Sequence, residues 1–223
     1  MTGVENPELY KIPREQSMVG QRKFFAHTLC SLFIFLKGLR IMRAFIGCSA
    51  KDTLNKKYYT LATNIADILA KRGCKLVFGG VDDGMMGKCF MTFKYHELPT
   101  MGVADISDQE ALQNLEVDKY EVTQSTFRRS EAMFKSSDII VILPGGIGTF
   151  AEIFTMVDEI RTRKVNKPLI IVNYDNYYTP LLEFISKSYK EGFISDGDLK
   201  LIDVVTDEVS FEKLIEKIGK ESE

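Results

Sequence analysis

Residues Ile139–Glu152 read IIVILPGGIGTFAE, an unbroken apolar run followed by three glycines in four positions, a threonine and, one helical turn later, a carboxylate. Five apolar residues in a row, Ile139–Leu143, predict a strand buried on both faces, as in a parallel sheet. The glycines predict a tight turn out of that strand with its backbone amides bared, and the helix that follows presents unpaired N–H groups at its start. A phosphate is the natural occupant of such a turn. Gly145, Gly146 and Gly148 are therefore candidate phosphate-binding residues, and Thr149 adds a hydroxyl at the same helix start.

Outward from this stretch, strands and helices alternate. Arg43–Cys48 reads as the first strand, followed by a helix over Leu54–Lys71 whose Leu61, Ile65, Ile68 and Leu69 share one face. Lys75–Phe78 is a second strand and Met85–Tyr95 a helix. Pro99–Ala104 is a third strand, and a short helix follows over Asp108–Leu115. Tyr120–Val122 is a fourth strand, before a helix over Thr126–Ser136. After the fifth strand come a helix over Thr149–Arg161, a strand over Pro168–Asn173, a helix over Pro180–Lys190, a strand over Leu201–Val205 and a helix over Phe211–Ile218. The fold class is α/β, a Rossmann-like three-layer α/β/α sandwich with a mostly parallel sheet.

The domain begins at Met42 and runs to residue 223 as a single nucleotide-binding unit. Residues 1–41 differ in character: FFAHTLCSLFIF, Phe24–Phe35, follows Arg22 and Lys23 as in a secretory signal. The run is too short to span a bilayer, and Lys37 and Arg40 stand where a cleavage site would be. The extension is read either as a mobile helix or as a stretch upstream of a true start at Met42. With 29 basic and 31 acidic residues and a formal net charge of −2, no positive field attracts nucleic acid. Cys30, Cys48, Cys74 and Cys89 form no CxxC pair, and His27 and His96 are the only histidines. Buried thiols in a reducing cytoplasm, with no metal site, account for them.

A second glycine cluster, FGGVDDGMMG at Phe78–Gly87, ends the second strand. Both loops fall at the carboxyl ends of parallel strands and face one crevice, so Gly79 and Gly80 join the candidate binding residues. Tight turns alone are the competing explanation for each loop. No lysine precedes Thr149, which removes the P-loop of an ATPase. Gly146–Ala151 satisfies the loose GxGxxA dinucleotide fingerprint, yet it follows the fifth strand, and only Asp175 could serve as its ribose acid.

Glu152 stands one turn into the helix, near the sugar of any nucleotide whose phosphate rests on the glycines. The helix N-terminus favours its ionised form. An anion gains nothing for a bare phosphate site, whereas cleavage of a glycosidic bond uses one to stabilise an oxocarbenium-like transition state or to activate water. Complementing the helix dipole is the ordinary alternative. Arg128 and Arg129 open the preceding helix, where a compensating anion is needed: Glu131 on the surface, or a ligand and Glu152 in the crevice.

Taken together, PGGIGTFAE (Pro144–Glu152), RSEAMFKSSDIIVILPGG (Arg129–Gly146), LVFGGVDDGMMG (Leu76–Gly87) and KPLIIVNYDNYYTPLLEFISKSYKEGFI (Lys167–Ile194) resemble the LONELY GUY family of cytokinin-activating phosphoribohydrolases, also labelled lysine decarboxylases. The resemblance covers roughly Met42–Ile194. It implies hydrolysis of the N-glycosidic bond of an adenine-type nucleoside 5′-monophosphate, releasing free base and ribose 5-phosphate, with no cofactor. Arg129 and Glu152 carry over as the catalytic pair; Gly145, Gly146, Gly148 and Thr149 carry over as phosphate and ribose binders. It also implies a homodimer, for which Met85, Met91 and Phe93 are interface candidates, although such a stripe also suits a core. Val81–Asp82–Asp83, and Asp158 with Glu159, are more acidic than the family pattern and bear on base preference. A non-catalytic nucleotide-binding or sensor protein on the same fold is the alternative, and no lysine motif for pyridoxal phosphate supports decarboxylation.

Overall fold

The computed structural model describes residues 42–221; the expectations for residues 1–41 lie outside them. The strands are β1 (Arg43–Gly47), β2 (Lys75–Phe78), β3 (Thr100–Asp105), β4 (Lys119–Thr123), β5 (Ile139–Ile142), β6 (Leu169–Val172) and β7 (Asp203–Val205). The helices are α1 (Lys56–Lys71), α2 (Gly84–Tyr95), α3 (Gln109–Gln113), α4 (Thr126–Ser136), α5 (Ile147–Arg163), α6 (Thr179–Lys190), α7 (Asp196–Leu199) and α8 (Glu208–Glu221), with 3₁₀ turns at Ile106–Asp108 and Tyr174–Asn176.

All seven strands pair in parallel, in the order β4-β3-β2-β1-β5-β6-β7. The chain steps one way from β1 to β4 and the other way from β5 to β7. Right-handed crossovers therefore put α1 and α2 on one face and α4, α5 and α6 on the other. Two cores result. Leu61, Ile65 and Leu69 of α1 pack with Phe90 of α2 and Phe211 and Ile215 of α8 against one face. Met133 and Phe134 of α4, Ile153, Met156 and Ile160 of α5, and Tyr178 cover the other. Every residue of β5 and of β6 is buried, as the apolar runs predict. Trimming Ile140, fully buried between both layers, to alanine should cost ~2–5 kcal/mol.

The reversal of strand order makes the boundary between β1 and β5 the switch point at which helices leave for opposite faces. Ligands of open parallel sheets bind outside that boundary. No helix among the described residues is long and apolar enough to cross a membrane. Met85 and Phe93 are fully buried core residues rather than interface residues, and only Met91 of that trio is exposed, at 61%.

Candidate active site

Helix α5 starts two residues earlier than its periodicity predicts, at Ile147, so the glycine turn belongs to its first turn. Its N-cap is Gly146, which supplies no side-chain cap. Gly146, Ile147 and Gly148 are exposed, whereas Gly145 and Thr149 are buried. Thr149 folds back over Gly145: a Cβ there would stand 2.1 Å from Thr149 Oγ1. The first helical bond of the turn runs from Phe150 N to the Gly146 carbonyl, 3.0 Å. Among the described residues, the N–H groups of Gly146, Ile147, Gly148 and Thr149 meet no protein acceptor.

Other helix starts at this edge are already answered. Asn55 caps α1, and Ser125 caps α4 through the Arg128 N–H. At α2, Gly84 N donates to Asp52 Oδ1 at 2.8 Å, while Met85 N and Met86 N donate to the Ser49 carbonyl at 3.0 and 3.2 Å. The β1–α1 loop thus fills the helix start beyond the second glycine cluster. Gly79 and Gly80 are buried and have a further role. A Cβ on Gly79 would lie 2.1 Å from Arg129 Nη2, and one on Gly80, whose φ is +75°, would meet Leu112 of α3 at 2.9 Å. Gly79 is a glycine because an arginine lies across it.

Arg129 enters the crevice from the first turn of α4. Its Nε donates to the Val103 carbonyl at 2.8 Å and its Nη2 to the Gly79 carbonyl at 2.9 Å. These two bonds, from the ends of β3 and β2, hold the guanidinium with Nη1 3.9 Å from Glu152 Oε1. The two arginines divide the compensating anions. Arg128 pairs with Glu131 on the surface at 2.9 Å, and Arg129 faces Glu152.

Glu152 is buried, 7% exposed. Its pKa is pushed up to about 7, because burial penalises the carboxylate and the Arg129 charge offsets only part of that. Burial thus works against the ionised form that the helix N-terminus favours. The other oxygen, Oε2, lies 3.0 Å from the place a Cβ on Gly47 would occupy. Gly47, the last residue of β1 at the switch point, is a site residue that sequence reasoning missed. A glycine closing the first strand, in FIGCS, is the signal that could have found it.

The remaining candidates lie elsewhere. Asp158 and Glu159 pair with Arg161 and Arg163 along α5. Asp175 is held in an ion pair by Lys57. Cys48, Cys74 and Cys89 are buried thiols, and burial raises the Cys74 thiol to about 12.

The profile of the family described as Possible lysine decarboxylase matches residues 86–217. A probable cytokinin riboside 5′-monophosphate phosphoribohydrolase of Oryza sativa subsp. japonica is 28% identical over 165 residues, 73% of this chain and 67% of that protein. A cytokinin riboside 5′-monophosphate phosphoribohydrolase of Arabidopsis thaliana is 28% identical, with 73% of this chain and 76% of that protein covered. Another rice relative is matched over 64% of its length. Among solved structures, the molybdenum cofactor binding protein of Rippkaea orientalis superposes with a TM-score of 0.60 at 20% identity, over 79% of this chain and 97% of that one. The molybdenum cofactor carrier protein of Chlamydomonas reinhardtii gives 0.58 at 22% identity, over 80% and 98%. These two share the fold. With more than half of its length matched by the family profile and its PGGxGTxxE turn intact, the chain belongs to the LONELY GUY, or possible lysine decarboxylase, family.

Proposed function

We propose that this protein hydrolyses the N-glycosidic bond of an adenine-type nucleoside 5′-monophosphate, releasing free base and ribose 5-phosphate. The observation that carries this reading is Glu152: a buried carboxylate with a pKa near 7, one turn inside a helix whose first amides meet no acceptor among the described residues. Burying a carboxylate without hydrogen bonds is costly, and a phosphate seat has no use for one. The relatives' activity gives that carboxylate a task.

In this mechanism the 5′-phosphate rests on the N–H groups of Gly146, Ile147, Gly148 and Thr149, at the positive end of α5. The ribose then lies over the β1–β5 boundary, against Glu152. As the bond to the base lengthens, positive charge grows on the sugar, and ionised Glu152 stabilises it or accepts the proton of the attacking water; water's oxygen bonds to the sugar carbon that the base leaves, and its proton ends on the departing base, which returns Glu152 to its ionised form. Arg129, fixed by the Gly79 and Val103 carbonyls, holds Glu152 in place and favours its charged form. Its guanidinium orients and stabilises charge rather than serving as a general acid.

The proposal extends to a homodimer working in the cytoplasm. Free thiols at Cys48, Cys74 and Cys89 suit a reducing compartment. Phe127, Ile147, Phe154 and Phe184, exposed on the helices of the α4–α6 face, offer apolar surface for a second copy. A panel of nucleoside 5′-monophosphates, each incubated with purified protein and assayed for free base, tests the activity. Release of base from one or more supports it; binding with the nucleotide intact would point to the non-catalytic alternative.

A further inference from the structure

Three consecutive carbonyls of the glycine turn are tied down, two of them by a tyrosine pair in the loop between β6 and α6. Tyr178 Oη donates to the Leu143 carbonyl at 2.8 Å, Ser49 N to the Pro144 carbonyl at 3.3 Å, and Tyr177 Oη to the Gly145 carbonyl at 2.6 Å. A trans peptide points its C=O and N–H to opposite sides. Fixing the Gly145 carbonyl on Tyr177 therefore turns the Gly146 N–H away from that ring, at a residue open to solvent. With glycines at 145 and 146, no side chain limits how this peptide rotates.

Tyr177 is itself held firmly. Its ring stands edge-on to Tyr58 of α1 (6.3 Å, 73°) and to Tyr178 (5.0 Å, 87°). The loop behind it turns through left-handed Asp175 and Asn176, φ 53° and 59°, residue types that tolerate this backbone. Asn173 Oδ1 accepts from Tyr178 N at 2.7 Å, its Nδ2 donates to Thr179 Oγ1 at 3.1 Å, and Lys57 pairs with Asp175. Nothing in the proposed chemistry requires a hydroxyl here, and Tyr177 remains 39% exposed, so core packing does not require it either.

We propose that Tyr177 is a positioning residue for phosphate, its hydroxyl setting the Gly145–Gly146 peptide so that the amides of the turn are oriented before the ligand arrives. This rests on the reading of that turn as the phosphate seat. Tyr177→Phe keeps the ring contacts and removes only the bond to Gly145. Inorganic phosphate binding by calorimetry, kcat and KM for a nucleoside monophosphate, and the melting temperature are measured on both proteins. The expected result is a phosphate dissociation constant and a KM each about five- to tenfold higher in the variant, with kcat within about twofold. Unchanged phosphate affinity and KM in the variant, with or without a lower melting temperature, would overturn the proposal while leaving the function reading intact. A wild-type protein that binds neither phosphate nor nucleotide would instead remove the phosphate seat, and both readings with it.

Discussion

Glu152 Oε2 lies 3.0 Å from the point where a Cβ on Gly47 would stand, the same distance as Ile142 Cδ1. The end of β1 is thus shaped to admit one carboxylate from α5. Gly47→Ala should displace that carboxylate, since the surrounding strands cannot move apart without breaking the β1–β5 pairing. The expected outcome is a fall in kcat of at least about tenfold with KM little changed. Steady-state kinetics on the variant check it, and wild-type kcat would show that the carboxylate's position is not critical.

Substituting Glu152→Gln preserves shape and removes the charge. Turnover should drop by ~10²–10⁴ while inorganic phosphate still binds. Turnover together with phosphate affinity, each compared with wild type, decides the matter.

Gly79→Ala leaves every charged residue in place yet drives a methyl into Arg129 Nη2, 2.1 Å away. It should therefore reproduce the activity loss of Arg129→Ala, and the double variant should be no worse than either single one. Additive losses in that cycle would show that Gly79 acts independently of the arginine. Arg129→Ala also leaves the Val103 and Gly79 carbonyls without these donors, a destabilisation of ~1–3 kcal/mol visible in denaturant titration.

The Glu152 pKa carries a stability signature with a definite sign. An acid raised from its ordinary 4.5 to about 7 holds its proton more tightly in the folded chain than in the unfolded one. The resulting stability is present below pH 4.5 and is lost as pH rises through about 7. At about 1.4 kcal/mol per tenfold change in proton affinity the loss is ~3 kcal/mol. Glu152→Gln should accordingly gain in melting temperature relative to wild type between pH 4.5 and 8. Parallel melting curves across that range would refute the buried, strained carboxylate.

Much of this was legible from residues alone, for identifiable reasons. Strands β5 and β6 are buried on both faces, so their apolar runs are unbroken, and α1 shows its core stripe at helical spacing. Arg129, Glu152 and the glycine turn could be singled out because their chemistry is local to one stretch. What escaped was whatever depends on chain segments meeting. The space at Gly47 is shared by Glu152, 105 positions on, with Ile142 and Phe45, and Gly79 is a glycine because of Arg129, 50 positions on. Neither pattern is periodic. The burial of Glu152 was not legible either, since the depth of a side chain depends on what packs over it. Tyr177 and Tyr178 read as part of an ordinary connection until their hydroxyls meet Gly145 and Leu143.

The account stands most directly on the products formed from a nucleoside 5′-monophosphate by wild-type protein and by the Glu152→Gln variant, separated and quantified over time. It predicts equimolar free base and ribose 5-phosphate from the wild type, with the variant slower by at least ~10². Nucleotide recovered intact from the wild type across the panel, or equal rates from the two proteins, would contradict it.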